Sequence, residues 1–167
     1  RIFEKLTVCI DCSNGVTGHV ARRVLNEFNL DFTIINEEVD GDFPNHSPDP
    51  TKKENLDQLK AAMKKGSCDI GIAFDGDGDR LIVIDGSFNI IWPDQLMMVY
   101  SKMLWSKKIG KVVFDVKCSD NLEKIITDMG GTPIRSRTGH SYIKKSLIKN
   151  NALLAGEMSG HIFFNDG

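Results

Sequence analysis

No apolar run in this sequence approaches the ~18 residues that a membrane-spanning helix needs, and Arg1-Ile2-Phe3-Glu4-Lys5 does not open a signal peptide. A cytoplasmic chain is expected. No block of like charge exceeds a few residues, and 21 basic against 23 acidic side chains leave a formal net charge of −2. That balance offers no basic surface for a nucleic acid, so neither nucleic acid nor membrane is an expected partner. Cysteine is sparse: Cys9, Cys12, Cys68 and Cys118. The single C-x-x-C, Cys9-Ile10-Asp11-Cys12, has no second pair to complete a zinc site. Residues three apart in a strand point to opposite faces, so reduced, mostly buried thiols are expected.

What is present is ordinary in bulk, with 41% hydrophobic and 26% charged residues in a chain of 167. That length suits one domain or two small ones. The most informative stretch is Phe74-Asp75-Gly76-Asp77-Gly78-Asp79-Arg80, between apolar runs at 70–74 and 81–84. Carboxylates at alternate positions converge if the backbone curls, and Gly76 and Gly78 permit the curl. Converging carboxylates repel one another, and a hard cation such as Mg²⁺ removes the repulsion. Arg80 adds a fork suited to a phosphate oxygen. A solvated hairpin is the plain alternative. A calcium EF-hand is excluded, because its sixth and twelfth loop positions need Gly and Glu where Arg80 and Gly86 stand.

In chain order, a strand at 6–11 leads through Ser13-Asn14-Gly15-Val16-Thr17-Gly18 into a helical pattern with Val20, Val24, Leu25 and Phe28 on one side, then a strand at 31–35. The glycine-bearing turn is too short for a nucleotide fingerprint and reads as structural. Residues 37–51 have no periodicity, and Pro44, Pro48 and Pro50 make them a stiff connection. His46 has no partner at ligand spacing and is treated as structural. A helix over 53–65 buries Leu56, Leu59 and Met63, and strands follow at 70–74, 81–85 and 88–92. Pro93 opens a helix with Leu96, Met97, Tyr100, Met103 and Leu104 inward. Strands at 111–115, 132–135 and 153–155 then alternate with two helices. The first has an apparent capping box at Asp120-Asn121-Leu122-Glu123, and the second buries Tyr142, Ile143, Leu147 and Ile148. Repeated βαβ units predict an α/β fold of two small βαβ-type domains with mixed, largely parallel sheets, at 1–88 and 89–167.

Three segments of the second set put polar groups just past strand ends: Asp115-Val116-Lys117-Cys118-Ser119, Arg137-Thr138-Gly139-His140-Ser141 and Gly156-Glu157-Met158-Ser159-Gly160-His161. Open α/β sheets place ligands there. With the acidic loop they describe a polar cleft for a metal and a phosphorylated polar ligand.

These segments, with Val39-Asp40-Gly41-Asp42-Phe43-Pro44-Asn45-His46-Ser47-Pro48-Asp49-Pro50, resemble the α-D-phosphohexomutases, and within them the bacterial phosphomannomutase/phosphoglucomutase type. The resemblance implies the second domain and most of the third in a four-domain enzyme that interconverts hexose 1-phosphate and hexose 6-phosphate. The reaction runs through a phosphoserine and a hexose 1,6-bisphosphate. It implies Mg²⁺ on Asp75, Asp77 and Asp79, a grip on the sugar's 3- and 4-hydroxyls by Glu157 and Ser159, and Arg80, Lys117 and His140 near the reacting oxygens. Mannose and glucose phosphates are the expected substrates. No segment resembles the serine loop of the first domain or the phosphate clamp of the fourth, so the chain alone is expected to be inactive. The sequence stops on a strand whose covering element is missing, so its second half is expected to be less stable than its first. A haloacid-dehalogenase-type phosphatase is a rival, with Asp75 as nucleophile, but Asp79 stands where such enzymes want Thr or Val and Asp166 has no acidic neighbour. A non-catalytic sugar-phosphate or metal-binding module is the other.

Overall fold

Strand–helix–strand repeats give two α/β units, Arg1–Ile91 and Trp92–Gly167, each described by itself. The computed structural model describes residues 5–28, 30–106 and 108–165. Residues 1–4, on which the signal-peptide expectation falls, and Asp166, named for the phosphatase rival, lie outside them.

In the first unit, β1 (Thr7–Asp11), α1 (Gly18–Leu25) and β2 (Asp31–Ile35) precede a short 3₁₀ turn at Lys53–Leu56 and α2 (Asp57–Gly66). Strands β3 (Ile70–Phe74), β4 (Leu81–Asp85) and β5 (Ile90–Ile91) complete it. The sheet order is β2-β1-β3-β4-β5. Strand β1 is parallel to β2 and β3, β4 is antiparallel to β3, and Asp11 pairs with Ala73. This register sets the turn after β1 beside the loop after β3.

The 3₁₀ turn places Leu56, and helix α2 places Leu59 and Met63, at zero exposure against Cys9, Ala73, Ile82 and Ile84 on one face of the sheet. Each such side chain removed from water stabilises by about 1.5–3 kcal/mol. On the other face Val8, Ile10, Cys12 and Ala21 are buried together. Cys9 and Cys12 therefore lie on opposite faces, as their spacing predicts, and all four cysteines are free and buried.

Helix α1 departs from its apolar pattern: Val20, Val24 and Phe28 are about half exposed, while Gly18 and Ala21 face inward. A Cβ at Gly18 would run into the Glu37 carbonyl. The helix starts so close to neighbouring backbone that small residues face inward there, and only Leu25 of the expected set packs on the core. The 88–92 strand contracts to Ile90–Ile91, because Phe88 turns the chain at φ 65°.

The second unit runs α3 (Pro93–Trp105), β6 (Lys111–Asp115), α4 (Asp120–Asp128), β7 (Thr132–Ser136), α5 (His140–Lys149), β8 (Leu154–Gly156) and β9 (Ile162–Phe164). Its sheet order β7-β6-β8-β9 repeats β2-β1-β3-β4, with only the last pair antiparallel. Met97, Phe114, Leu122 and Ile126 form a core on one face, and Val113, Ile143, Leu147 and Ala155 on the other. Met103, Tyr142 and Ile148 are exposed, contrary to the helical pattern. Tyr142 instead lies under the Arg137 guanidinium, 4.0 Å from its ring centre. The capping box expected at Asp120–Glu123 does not form. Ser119 is the N-cap residue, and Asp120 and Glu123 both pair with Arg135 on β7.

Candidate metal and sugar-phosphate sites

In the first unit, the loop between antiparallel β3 and β4 is closed by hydrogen bonds from the Asp75 N–H to the Arg80 carbonyl at 3.4 Å and from the Gly78 N–H to the Asp75 carbonyl at 3.2 Å. Gly78 has φ +76°, which a side chain resists. Gly76 sits in a tight space instead: a Cβ there would lie 3.3 Å from the Phe43 ring, which would have to give way by a few tenths of an ångström. One oxygen from each of Asp75, Asp77 and Asp79 lies within 4.8 Å of the others, with Asp75 buried and the other two exposed. Octahedral Mg²⁺ with bonds of ~2.0–2.1 Å wants ligand oxygens roughly 3–4 Å apart. A small inward shift of two exposed side chains suffices, so the donor set fits a hard cation.

Arg80 is folded back on the loop. Its N–H reaches Asp75 Oδ1 at 3.1 Å and its Nε reaches Oδ2 at 2.5 Å, and Asp49 and Asp79 lie 3.8 and 3.9 Å from the guanidinium. Partial burial opposes its charge, but hydrogen bonding and attraction by Asp75, with Asp49 and Asp79, outweigh that and raise its pKa. Three carboxylates thus hold a permanently charged fork at the loop's edge.

The loop is braced from below. Ser13 Oγ donates to the Phe74 carbonyl at 2.7 Å and the Val16 N–H donates to the Gly76 carbonyl at 3.0 Å. The glycine-bearing turn after β1 is therefore a support for the acidic loop. Beneath it His46 contacts Asp11 Oδ2 through Nε2 at 2.9 Å and the Ser47 carbonyl through Nδ1 at 2.9 Å. His46 does have a carboxylate partner, 35 residues away in sequence.

In the second unit the loop between β8 and β9 is closed the same way. The Glu157 N–H donates to the His161 carbonyl at 3.0 Å, the Gly160 N–H donates to the Glu157 carbonyl at 3.1 Å, and Gly160 has φ +105°. Glu157 is buried. Its Oε1 accepts the Gly139 N–H at 2.5 Å and its Oε2 lies 3.1 Å from His161 Nδ1. Ser159 Oγ lies 2.8 Å from the same nitrogen. His140 opens α5, its ring 5.8 Å from that of His161. The structure therefore brings Glu157, Ser159 and His140 together around His161, which was not singled out from the sequence although it ends a named segment. Lys117 is exposed on the turn after β6. Asp115 anchors the cluster: the carboxylate, at zero exposure, accepts Cys118 Sγ–H at 3.2 Å, Met158 N–H at 3.3 Å and Thr138 Oγ–H at 3.0 Å. Only its place at a strand end signals this role in the sequence. Burial, then Asp115, pushes the Cys118 thiol up, keeping it a neutral donor.

A sequence profile described as phosphoglucomutase/phosphomannomutase, alpha/beta/alpha domain II, matches residues 3–87, and the profile of domain III matches 92–167. The chain belongs to this family. It is 46% identical over 164 residues to the phosphomannomutase/phosphoglucomutase of Pseudomonas syringae pv. tomato, covering 98% of this chain and 35% of that protein. The crystal structure of a phosphoglucomutase/phosphomannomutase family protein from Burkholderia thailandensis superposes with a TM-score of 0.94 at 41% identity, over 99% of this chain and 36% of that one. The fold extends to Aspergillus fumigatus N-acetylphosphoglucosamine mutase, solved with GlcNAc-6P and magnesium, at a TM-score of 0.75 and 21% identity over 97% of this chain and 37% of that one. The chain thus spans about a third of the length of the relatives it matches. Among its described residues, no helix is long and apolar enough to cross a membrane.

Proposed function

We propose that this chain is the metal-binding and sugar-binding middle of a phosphohexomutase that interconverts hexose 1-phosphate and hexose 6-phosphate of mannose or glucose. The observation that carries the reading is the convergence of Asp75, Asp77 and Asp79 beside Arg80 in a chain of this family. Asp75, Asp77 and Asp79 hold Mg²⁺, which neutralises charge on a transferring phosphoryl group. Arg80 turns from Asp75 toward phosphate oxygens, and Lys117 and His140 supply further positive charge and proton transfer at the sugar oxygens. Glu157 and Ser159 grip the 3- and 4-hydroxyls through lone pairs not used by Gly139 and His161. Phosphoryl transfer depends on such positioning and neutralisation more than on covalent help. Residues 1–88 and 89–167 are then the second and third domains of the parent. Its first domain brings the phosphoserine and its fourth the distal phosphate clamp, with a hexose 1,6-bisphosphate reorienting between the two transfers. A cytoplasmic location follows from such a metabolic role.

Phosphorus NMR of the chain with Mg²⁺ and glucose 1-phosphate or mannose 1-phosphate tests this. The expected spectrum shows binding with no turnover, while the complete parent protein yields hexose 6-phosphate. Inorganic phosphate released by the chain and abolished in Asp75→Asn would make Asp75 a nucleophile and the protein a phosphatase.

A further inference from the structure

We infer that Asp115 is a positioning residue that fixes the three substrate-facing loops of the second unit relative to one another, by hydrogen-bond geometry and not by its charge. The inference rests on the sugar-binding reading of Lys117, His140, Glu157 and Ser159.

Strand β6 lies between β7 and β8, so the turn after Asp115 is flanked by the loops that follow those two strands. One carboxylate reaches all three. Oδ1 accepts from Cys118, next to Lys117, and from the backbone of Met158, between Glu157 and Ser159. Oδ2 accepts from Thr138, two residues before His140. Asp115 has zero exposure, and no ion pair reaches it among the described residues. A buried carboxylate without a cation is costly to desolvate. A position that only needed filling would take an apolar side chain, as Val113 and Phe114 do in the same strand. What Asp115 adds is a set of acceptor directions satisfied by three separate segments.

The first unit repeats the device. Asp11 ends β1, which lies between β2 and β3 in the same sheet order, and it too has zero exposure. It accepts the Ser13 N–H at 2.8 Å and Asn36 Nδ2–H at 3.0 Å, and contacts His46 at 2.9 Å, holding the turn that braces the acidic loop. A buried aspartate at the same strand end ties neighbouring loop segments together in both units, although in the first it reaches the acidic loop only through the turn that braces it.

Asparagine and alanine separate geometry from charge. In Asp115→Asn the amide oxygen accepts from Cys118 and Met158 while the amide NH₂ donates to Thr138 Oγ, so all three links survive without the charge. Asp115→Ala removes all three, and Thr138→Val removes one. In the 167-residue chain, NMR amide exchange at Met158 is expected to rise at least tenfold in Asp115→Ala and to stay within about threefold of wild type in Asp115→Asn, with Val16 and Gly78 of the first unit unchanged. Glucose 1-phosphate, titrated under conditions where each variant is fully folded, is expected to bind at least tenfold more weakly to Asp115→Ala, several-fold more weakly to Thr138→Val, and normally to Asp115→Asn. Loss in Asp115→Asn as severe as in Asp115→Ala overturns the inference, because charge is then what Asp115 supplies. Wild-type exchange and affinity in Asp115→Ala overturn it as well. If Asp115→Ala does not fold, Thr138→Val decides, with unchanged affinity counting against the inference. If the wild-type chain does not bind glucose 1-phosphate, the proposed function fails, and Met158 exchange alone still decides the role of Asp115.

Discussion

Four cysteines in a 167-residue chain invite a redox reading, which their surroundings oppose. Burial, with neighbouring acidic groups adding to it, raises the Cys12 thiol to about 11, and burial with Cys68 and Asp11 raises Cys9 to about 12. A thiol that stays protonated is neither a nucleophile nor a metal ligand. Ellman's reagent at pH 8 is expected to leave the folded chain unmodified over a time in which it titrates four thiols in guanidinium. The linkage has a definite sign. These thiols ionise at higher pH when folded than when unfolded, so their contribution is intact below the ordinary thiol value of 9.0 and is lost as pH climbs toward 11 and 12. Urea midpoints should fall between pH 9 and 11, by on the order of 1–3 kcal/mol in stability. Cys12→Ala should flatten that fall. A midpoint fall as steep in the variant would assign the alkaline loss to other groups.

At the scale of elements, legibility depended on what a segment packs against. The helical stretch expected at 53–65, a 3₁₀ turn followed by α2, is readable because Leu56, Leu59 and Met63 repeat at helical spacing and dock on a flat sheet face. Helix α1 follows its apolar pattern only at Leu25, which packs on the core, while Val20, Val24 and Phe28 do not, because contact with backbone near Glu37 selects Gly18 and Ala21. The acidic loop is legible through its own residues, but the contacts that hold the site loops are not: in the first unit His46 finds Asp11 35 positions away, and in the second Asp115 reaches Met158 across 43. Only the sheet order brings such pairs together. Gly15 shows how tightly the brace fits, since a Cβ there would lie 2.5 Å from the Gly76 carbonyl oxygen. Two stretches of backbone must part to admit a methyl group. Gly15→Ala is therefore expected to destabilise by about 1–3 kcal/mol and to weaken Mg²⁺ binding measured by calorimetry, although no metal ligand is changed. Undiminished Mg²⁺ affinity would show that the turn does not set the carboxylates.

Across the whole molecule, one architecture appears twice with different chemistry at the same place. In each unit a parallel strand ends in a buried carboxylate, Asp75 or Glu157, and a hairpin loop closes behind it with matching backbone hydrogen bonds and a glycine at positive φ. Each carboxylate meets a basic side chain across the closure, Arg80 in one loop and His161 in the other. The second loop is one residue shorter, and it carries Met158 and Ser159 where the first has further aspartates and glycine. One carboxylate and a hydroxyl do not make the concentrated negative oxygen set that draws Mg²⁺ from its waters. Mg²⁺ titrated into the isotope-labelled chain should therefore move the amide signals of Gly76, Gly78 and Arg80 and leave those of Glu157, Ser159 and His161 in place, with Asp77→Asn removing most of the response. Binding should also stabilise the chain by ~1.4 kcal/mol at about ten times the dissociation constant. Equal perturbation of both loops would mean that the metal follows the shared hairpin geometry. Perturbation of the first loop alone would mean that the scaffold supplies the position and the side chains at alternate places in the loop choose the ligand.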